Sequence, residues 1–175
     1  MQHLTIEFKA RCDALERARA VLRDLGAVGR TDRQIDTYFR VPHGRLKLRE
    51  GTVEHNLIHY HRPDHTGPKR SEVTLYPTGP DASSLKAALT AALGVLVVVD
   101  KTREIYFAGN VKIHLDRVKR LGTFVEVEAI ADTDHATEAV LRAQCERFLD
   151  AFGVEEADLV AGSYSDLLLD ADAQN

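Results

Sequence analysis

No stretch of this chain is apolar for long enough to cross a bilayer as a helix. The longest candidate, Gly94–Val99, is strand-sized, so no membrane partner is expected. The opening MQHLTIEFKAR lacks the apolar core of a secretory signal, and a cytoplasmic location is expected. Cysteine is scarce. Cys12 and Cys145 make no disulfide framework, and reduced thiols are expected. Nor is there an excess of positive charge: 23 Lys and Arg against 27 Asp and Glu leave a formal charge of −4. That balance argues against nucleic acid as a partner, while leaving room for a local basic pocket. Internal repeats, low-complexity segments and interdomain linkers are missing too. The 175 residues suit a single domain, read as 1–169, followed by a polar, frayed tail over 170–175.

What is present is strong alternation. With 44% apolar and 29% charged residues, the composition is that of an ordinary globule. Gly109–Ile130 reads as two strands joined by a short connection, because both halves alternate with period two. Val111, Ile113 and Leu115 share one face, and Lys112, His114 and Asp116 the other. Val125 and Val127 oppose Glu126 and Glu128. Paired as a hairpin, the polar side gathers His114, Asp116, Glu126 and Glu128, whose carboxylates repel one another unless water, bases or a cation intervene. A simply solvated strand face has the same periodicity.

The rest of the chain supplies more such strands. Leu4–Arg11 alternates, with Glu7, Lys9 and Arg11 on its polar face. Further strands are predicted over Gln34–Val41, Arg45–Glu50, Asn56–Arg62, Arg70–Tyr76 and Val95–Phe107. Arg45, Lys47 and Arg49 share one face, as do Lys101 and Arg103. Asp13 is expected to cap a first helix with the stripe Leu15, Ala18, Leu22 and Leu25, ended by Gly26. Asp81 or Ser83 opens a second, with Leu85, Leu89 and Leu93. Asp134 opens a third, with Val140, Leu141, Phe148, Leu149 and Phe152 buried. Ser163 caps a last short turn through Leu169. Crossovers are few, which favours α+β over a parallel sheet.

Helices with apolar stripes need a surface to cover, and the strands' apolar faces supply it. A sheet with that face outward can curl so that its charged face lines an interior. So many basic side chains in one confined space call for an anion, and phosphate suits forked Arg and compact Lys. A carboxylate cluster beside them is hard-oxygen ligation for Mg²⁺ or Mn²⁺. An open sheet with one wet face fits the periodicity equally well.

The ordered set Glu7-Phe8-Lys9, GRLKLRE, Leu57-Ile58-x-Tyr60-x-Arg62, Lys69-x-Ser71, VxKxRE and IHLDxVxxLGxFxExE resembles the CYTH superfamily. These are the triphosphate tunnel metalloenzymes, among them class IV adenylyl cyclases and thiamine triphosphatases. The likeness runs from Leu4 to the terminal GSYSDLL. It implies an eight-stranded antiparallel β-barrel tunnel with a charged lumen and helices outside. It implies phosphate binding by Lys9, Arg45, Lys47, Arg62, Lys101 and Arg103, with Arg49 and His114 on the same face. Metal binding falls to Glu7, Asp116, Glu126 and Glu128, and catalytic roles to Lys9, Lys101, Arg103 and Asp116. One position departs: the family's opening E-x-E-x-K has Thr5 in place of its first Glu, which puts a second metal site in doubt.

His55, His59 and His61 have zinc-like spacing, but period two sets them opposite Ile58, Tyr60 and Arg62, and no Cys cluster completes a site. Three functions follow from the resemblance. A cyclase would convert ATP to 3′,5′-cyclic AMP and pyrophosphate. A triphosphatase would hydrolyse thiamine triphosphate, tripolyphosphate or a nucleotide. A non-catalytic sensor would only bind the triphosphate. The cyclase branch is the nearest in pattern, and the chain is expected to work as a monomer or homodimer.

Overall fold

The computed structural model describes residues 5–61, 72–131 and 137–174. Eight strands are present: β1 (Thr5–Arg11), β2 (Arg30–Phe39), β3 (Arg45–Glu50), β4 (His55–His61), β5 (Glu72–Pro77), β6 (Val95–Ala108), β7 (Val111–Val118) and β8 (Gly122–Ile130). They form one antiparallel sheet in the order β1-β8-β7-β6-β2-β3-β4-β5. Four helices accompany it: α1 (Leu15–Asp24), α2 (Ser83–Leu93), α3 (Glu138–Phe152) and α4 (Tyr164–Ala173). The sheet curls into a half-barrel, so that Glu7 and Lys9 of β1 and Val73 and Leu75 of β5 line one cavity. This is the α+β tunnel architecture that the resemblance implies. Among the described residues no ladder joins β5 to β1.

The convex face is apolar and covered. Ile6, Phe8 and Ala10 of β1, with Val111, Ile113, Leu115, Val125 and Val127 of the β7–β8 hairpin, pack under α1 and α3. Phe39 and Leu48 pack under the Leu85, Leu89 and Leu93 stripe of α2. Each such fully buried side chain contributes about 1.5–3 kcal/mol, which is what fixes the facing of every strand. The concave face has its own smaller apolar cluster. Tyr38, Val99, Val118 and Phe124 meet Tyr164 and Leu168 there, so α4 sits on the concave side rather than outside with the other helices.

The helices differ from the sequence reading in four places. Asp13 makes no cap; Ala14 stands at the N-cap of α1, and Asp13 instead accepts a long bond from Thr123. Thr137 caps α3, its hydroxyl accepting from the Val140 amide, while Asp134 lies outside the described residues. Leu25 and Val140 are half-exposed, and Cys145 takes the buried place on α3. Ser163 does cap α4, in a reciprocal box with Asp166, but the helix continues to Ala173, so Asp170–Ala173 is helical rather than frayed. No helix among the described residues is long and apolar enough to cross a membrane.

Candidate active site

Period two carries the basic side chains of three strands onto the concave face. Lys9 (β1), Lys47 and Arg49 (β3), and Lys101 and Arg103 (β6) are all buried, and all five line one cavity of about 180 Å³. Glu7 and Glu126 line it as well. Arg45, on the same face of β3, is drawn aside: its guanidinium donates to Asp166 of α4 at 2.9 Å. Arg62 lies outside the described residues.

The cations do not stand unbalanced, as the sequence suggested. Asp36 of β2, wholly buried, accepts from Lys47 at 2.8 Å, from Arg49 at 2.8 and 2.9 Å, and from Lys101 at 3.4 Å. Burial alone would raise its pKa, but Arg49, Lys47 and Lys101 together hold its carboxyl well below the usual range. Arg103 is bound by Asp116 at 2.7 and 2.5 Å and by Glu126 at 2.8 Å. Lys9 approaches Glu126 at 3.5 Å and lies 4.4 Å above the Tyr164 ring. Lys101 is the strained member. Burial and the nearby Arg103 drive its pKa well below that of a free lysine, against the pull of Asp36.

Three residues to which the sequence reading gave no polar role in the site hold this arrangement. Asp36 is the first, and its signal was available: Asp32, Gln34, Asp36 and Tyr38 alternate on one face of β2. Asp32 is the second. It accepts from the amides of Thr52, Val53 and Glu54 and so shapes the β3–β4 turn. That turn sends Glu54 back to Arg49 at 2.8 Å and towards Lys112 at 3.6 Å. Tyr164 is the third, its hydroxyl donating to Asp116 at 2.7 Å. Nothing local marks Tyr164 for this task, because its partner is 48 positions away.

The predicted metal residues divide into two groups. Register pairs Glu7 with Glu128 and Lys9 with Glu126 across β1–β8. Burial, with the repulsion of Glu7 and Glu126, lifts the Glu128 carboxyl to about 7. The repulsion of the neighbouring carboxylates adds to burial there, and carboxylate oxygens are the hard donors that a divalent cation takes. Asp116 fits less well, since its oxygens already serve Arg103 and Tyr164. Among the described residues no three His, Cys, Asp or Glu side chains are placed together to hold a metal, and Glu126 is turned to Arg103 and His114. His114 lies buried beside this group. Burial and Arg103 depress its pKa to about 4, which favours the neutral imidazole at neutral pH. Its Nδ1 meets Glu126 at 3.3 Å, and its Nε2 has no hydrogen-bond partner among the described residues. His55, His59 and His61 belong to no metal-holding group among the described residues.

A family model, the CYTH domain, matches residues 3–164. The chain belongs to the CYTH family. Solved structures agree on the fold. The PH1012 protein of Pyrococcus horikoshii is 22% identical with a TM-score of 0.72, over 93% of this chain and 98% of its own. A Vibrio parahaemolyticus protein, named as a candidate adenylate cyclase, is 21% identical with a TM-score of 0.72, over 97% and 99%. HpAC1 of Hippeastrum, described as having a dominant triphosphatase activity, is 12% identical with a TM-score of 0.64, over 98% and 96%. No curated protein matches. The CYTH fold thus accounts for the half-barrel, and the cations on its concave face occupy the interior of a CYTH tunnel.

Proposed function

We propose that this CYTH protein is a divalent-metal-dependent enzyme acting on a small-molecule triphosphate. The observation that carries the reading is the convergence of Lys9, Lys47, Arg49, Lys101 and Arg103, from three strands, on one cavity. Arg49 and Arg103 offer planar forks for non-bridging phosphate oxygens, and the lysines offer compact charges. Asp36 and Asp116 hold those groups aimed before any ligand arrives, so little reorganisation remains for the reaction itself. Glu7, Glu126 and Glu128 are the groups we assign to the metal. A bound Mg²⁺ or Mn²⁺ would offset charge on the phosphates and lower the pKa of the attacking hydroxyl or water.

Two reactions use this clamp and differ in which phosphorus meets the nucleophile. The whole-chain resemblance points to the cyclase form, in which the ribose 3′-oxygen attacks the α-phosphorus of ATP and pyrophosphate leaves. The cavity favours hydrolysis as a second reading. Its volume of about 180 Å³ suits a phosphate chain, whereas sites that enclose a whole organic ligand run from about 300 Å³ upward. The Hippeastrum relative's triphosphatase activity is consistent with that alternative.

The test is product analysis. Purified protein is incubated with ATP, thiamine triphosphate and tripolyphosphate, each with Mg²⁺ or Mn²⁺. Cyclic AMP with pyrophosphate supports the first reading, and orthophosphate the second. Failure to bind or alter all three would remove the proposal.

A further inference from the structure

The run of cations on the concave face does not end at Arg49. The cavity is lined as far as Arg49, and beyond it come the carboxylate of Glu54 and then the ammonium of Lys112 on β7. Glu54 Oε2 accepts from Arg49 Nη1 at 2.8 Å and from Gln34 Nε2 at 3.2 Å, and its Oε1 lies 3.6 Å from Lys112 Nζ. Asp36 accepts from Nε and Nη2 of Arg49, so Glu54 covers the guanidinium nitrogen that Asp36 leaves.

This placement is built into the turn. Asp32 gathers the amides of Thr52, Val53 and Glu54, and Gly51 lets the backbone close around it. A Cβ at Gly51 would lie 2.5 Å from the Glu54 carbonyl oxygen and 2.9 Å from both carboxylate oxygens of Asp32. Burial would raise the pKa of Glu54, but Lys112 and Arg49 bring it down to about 2, so it is ionised at neutral pH.

A guanidinium, a carboxamide and an ammonium around one anion are donors that a phosphate would take, and here a carboxylate of the chain itself takes them. A phosphate chain that fills the cavity therefore meets fixed negative charge behind Arg49. One more phosphate reaches Lys112 only by displacing Glu54. We propose that Glu54 is a specificity residue that ends the phosphate chain, admitting three phosphates and turning away longer polyphosphates by like-charge repulsion. This rests on the triphosphate reading and adds to it the residue that limits chain length.

The experiment titrates pyrophosphate, tripolyphosphate and tetrapolyphosphate into metal-free protein by calorimetry. The proteins are the wild type, Glu54→Gln, Glu54→Ser and the double variant Glu54→Gln with Lys112→Met, each checked by thermal melt. The wild type should gain about tenfold in affinity from pyrophosphate to tripolyphosphate, and less than about twofold from tripolyphosphate to tetrapolyphosphate. Glu54→Gln should favour tetrapolyphosphate over tripolyphosphate by about tenfold, the scale of a charged hydrogen bond. Glu54→Ser, neutral and smaller, should do the same, so the result does not hang on one variant's folding. The double variant should lose that preference, because Lys112 is the cation the fourth phosphate reaches. A wild type that gains as much from the fourth phosphate as from the third overturns the stop while leaving the clamp intact. So do neutral variants that shift all three ligands equally, or a preference that survives the loss of Lys112. Binding of no polyphosphate overturns the clamp reading and the stop with it.

Discussion

Arg49 holds both oxygens of Asp36, at 2.8 and 2.9 Å, at a point where Asp36 is shut away from solvent. Lys47 and Lys101 reach the same carboxylate, so one buried anion orients three of the cations that line the cavity. Asp36→Asn removes that charge and leaves the cations facing one another. Breaking a buried pair from one side costs about 3–5 kcal/mol, so the variant should melt well below the wild type. Tripolyphosphate supplies replacement negative charge, and it should raise the variant's melting temperature more than the wild type's. Equal ligand shifts in the two proteins would contradict the role given to Asp36.

The facing of β3 can be tested at adjacent positions. Leu48 is wholly buried under α2, and Lys47 points the other way into the cavity. Leu48→Asp places an unpaired carboxylate in that core and should unfold the domain. Lys47→Met should fold and lose tripolyphosphate affinity by about tenfold or more, the scale of a charged hydrogen bond. Circular dichroism and calorimetry read the two effects, and similar behaviour at both positions would undo the facing.

Tyr164 reaches the site from α4. Tyr164→Phe keeps the ring beneath Lys9 but removes the hydroxyl that donates to Asp116. Arg103 still holds Asp116, so a stability loss of about 1 kcal/mol is expected by denaturant melt. Turnover should fall with it, because Asp116, which orients Arg103, loses one of its donors. Unchanged turnover would limit Tyr164 to packing.

The pH dependence of stability carries two opposed slopes in metal-free protein. Glu128, lifted to about 7 by burial and by Glu7 and Glu126, keeps a proton that the unfolded chain releases near 4.5. Its contribution is fully present below 4.5 and is lost as pH rises to about 7. His114, depressed to about 4 by burial and Arg103, runs the other way. Its contribution is present above 6.5 and is lost as pH falls towards 4. The two overlap, so the wild-type curve alone does not separate them. Glu128→Gln does: the stability gained over wild type should grow from pH 4.5 to 7 and then level off, at a few kcal/mol at most. A gain independent of pH would show that Glu128 titrates normally.

Much of this was legible in the sequence because the strands are half-buried. Alternation in β1, β6, β7 and β8 set Lys9, Lys101, Arg103, Asp116 and Glu126 on one face, and the buried side chains of the other face fixed that choice. Asp36 escaped because its strand was read by its limits and not by its faces. Arg45 carries the right residue type on the right face, but Asp166, 121 positions along the chain, takes its guanidinium. The helix caps misled for a local reason. Asp13 and Asp134 have the chemistry of a cap, but at α1 the backbone begins its helix after Ala14, and at α3 the capping bond belongs to Thr137.

The claim on which the rest depends is that the concave cations grip a triphosphate chain. Calorimetric titration of tripolyphosphate into metal-free protein tests it most directly. Lys47→Met is one comparison, and Arg33→Met, an exposed residue on the opposite face of β2, is the other. The expected result is one ligand per chain, bound more weakly as salt is raised, with affinity lost in Lys47→Met and retained in Arg33→Met. No binding, or equal losses in the two variants, would contradict the account.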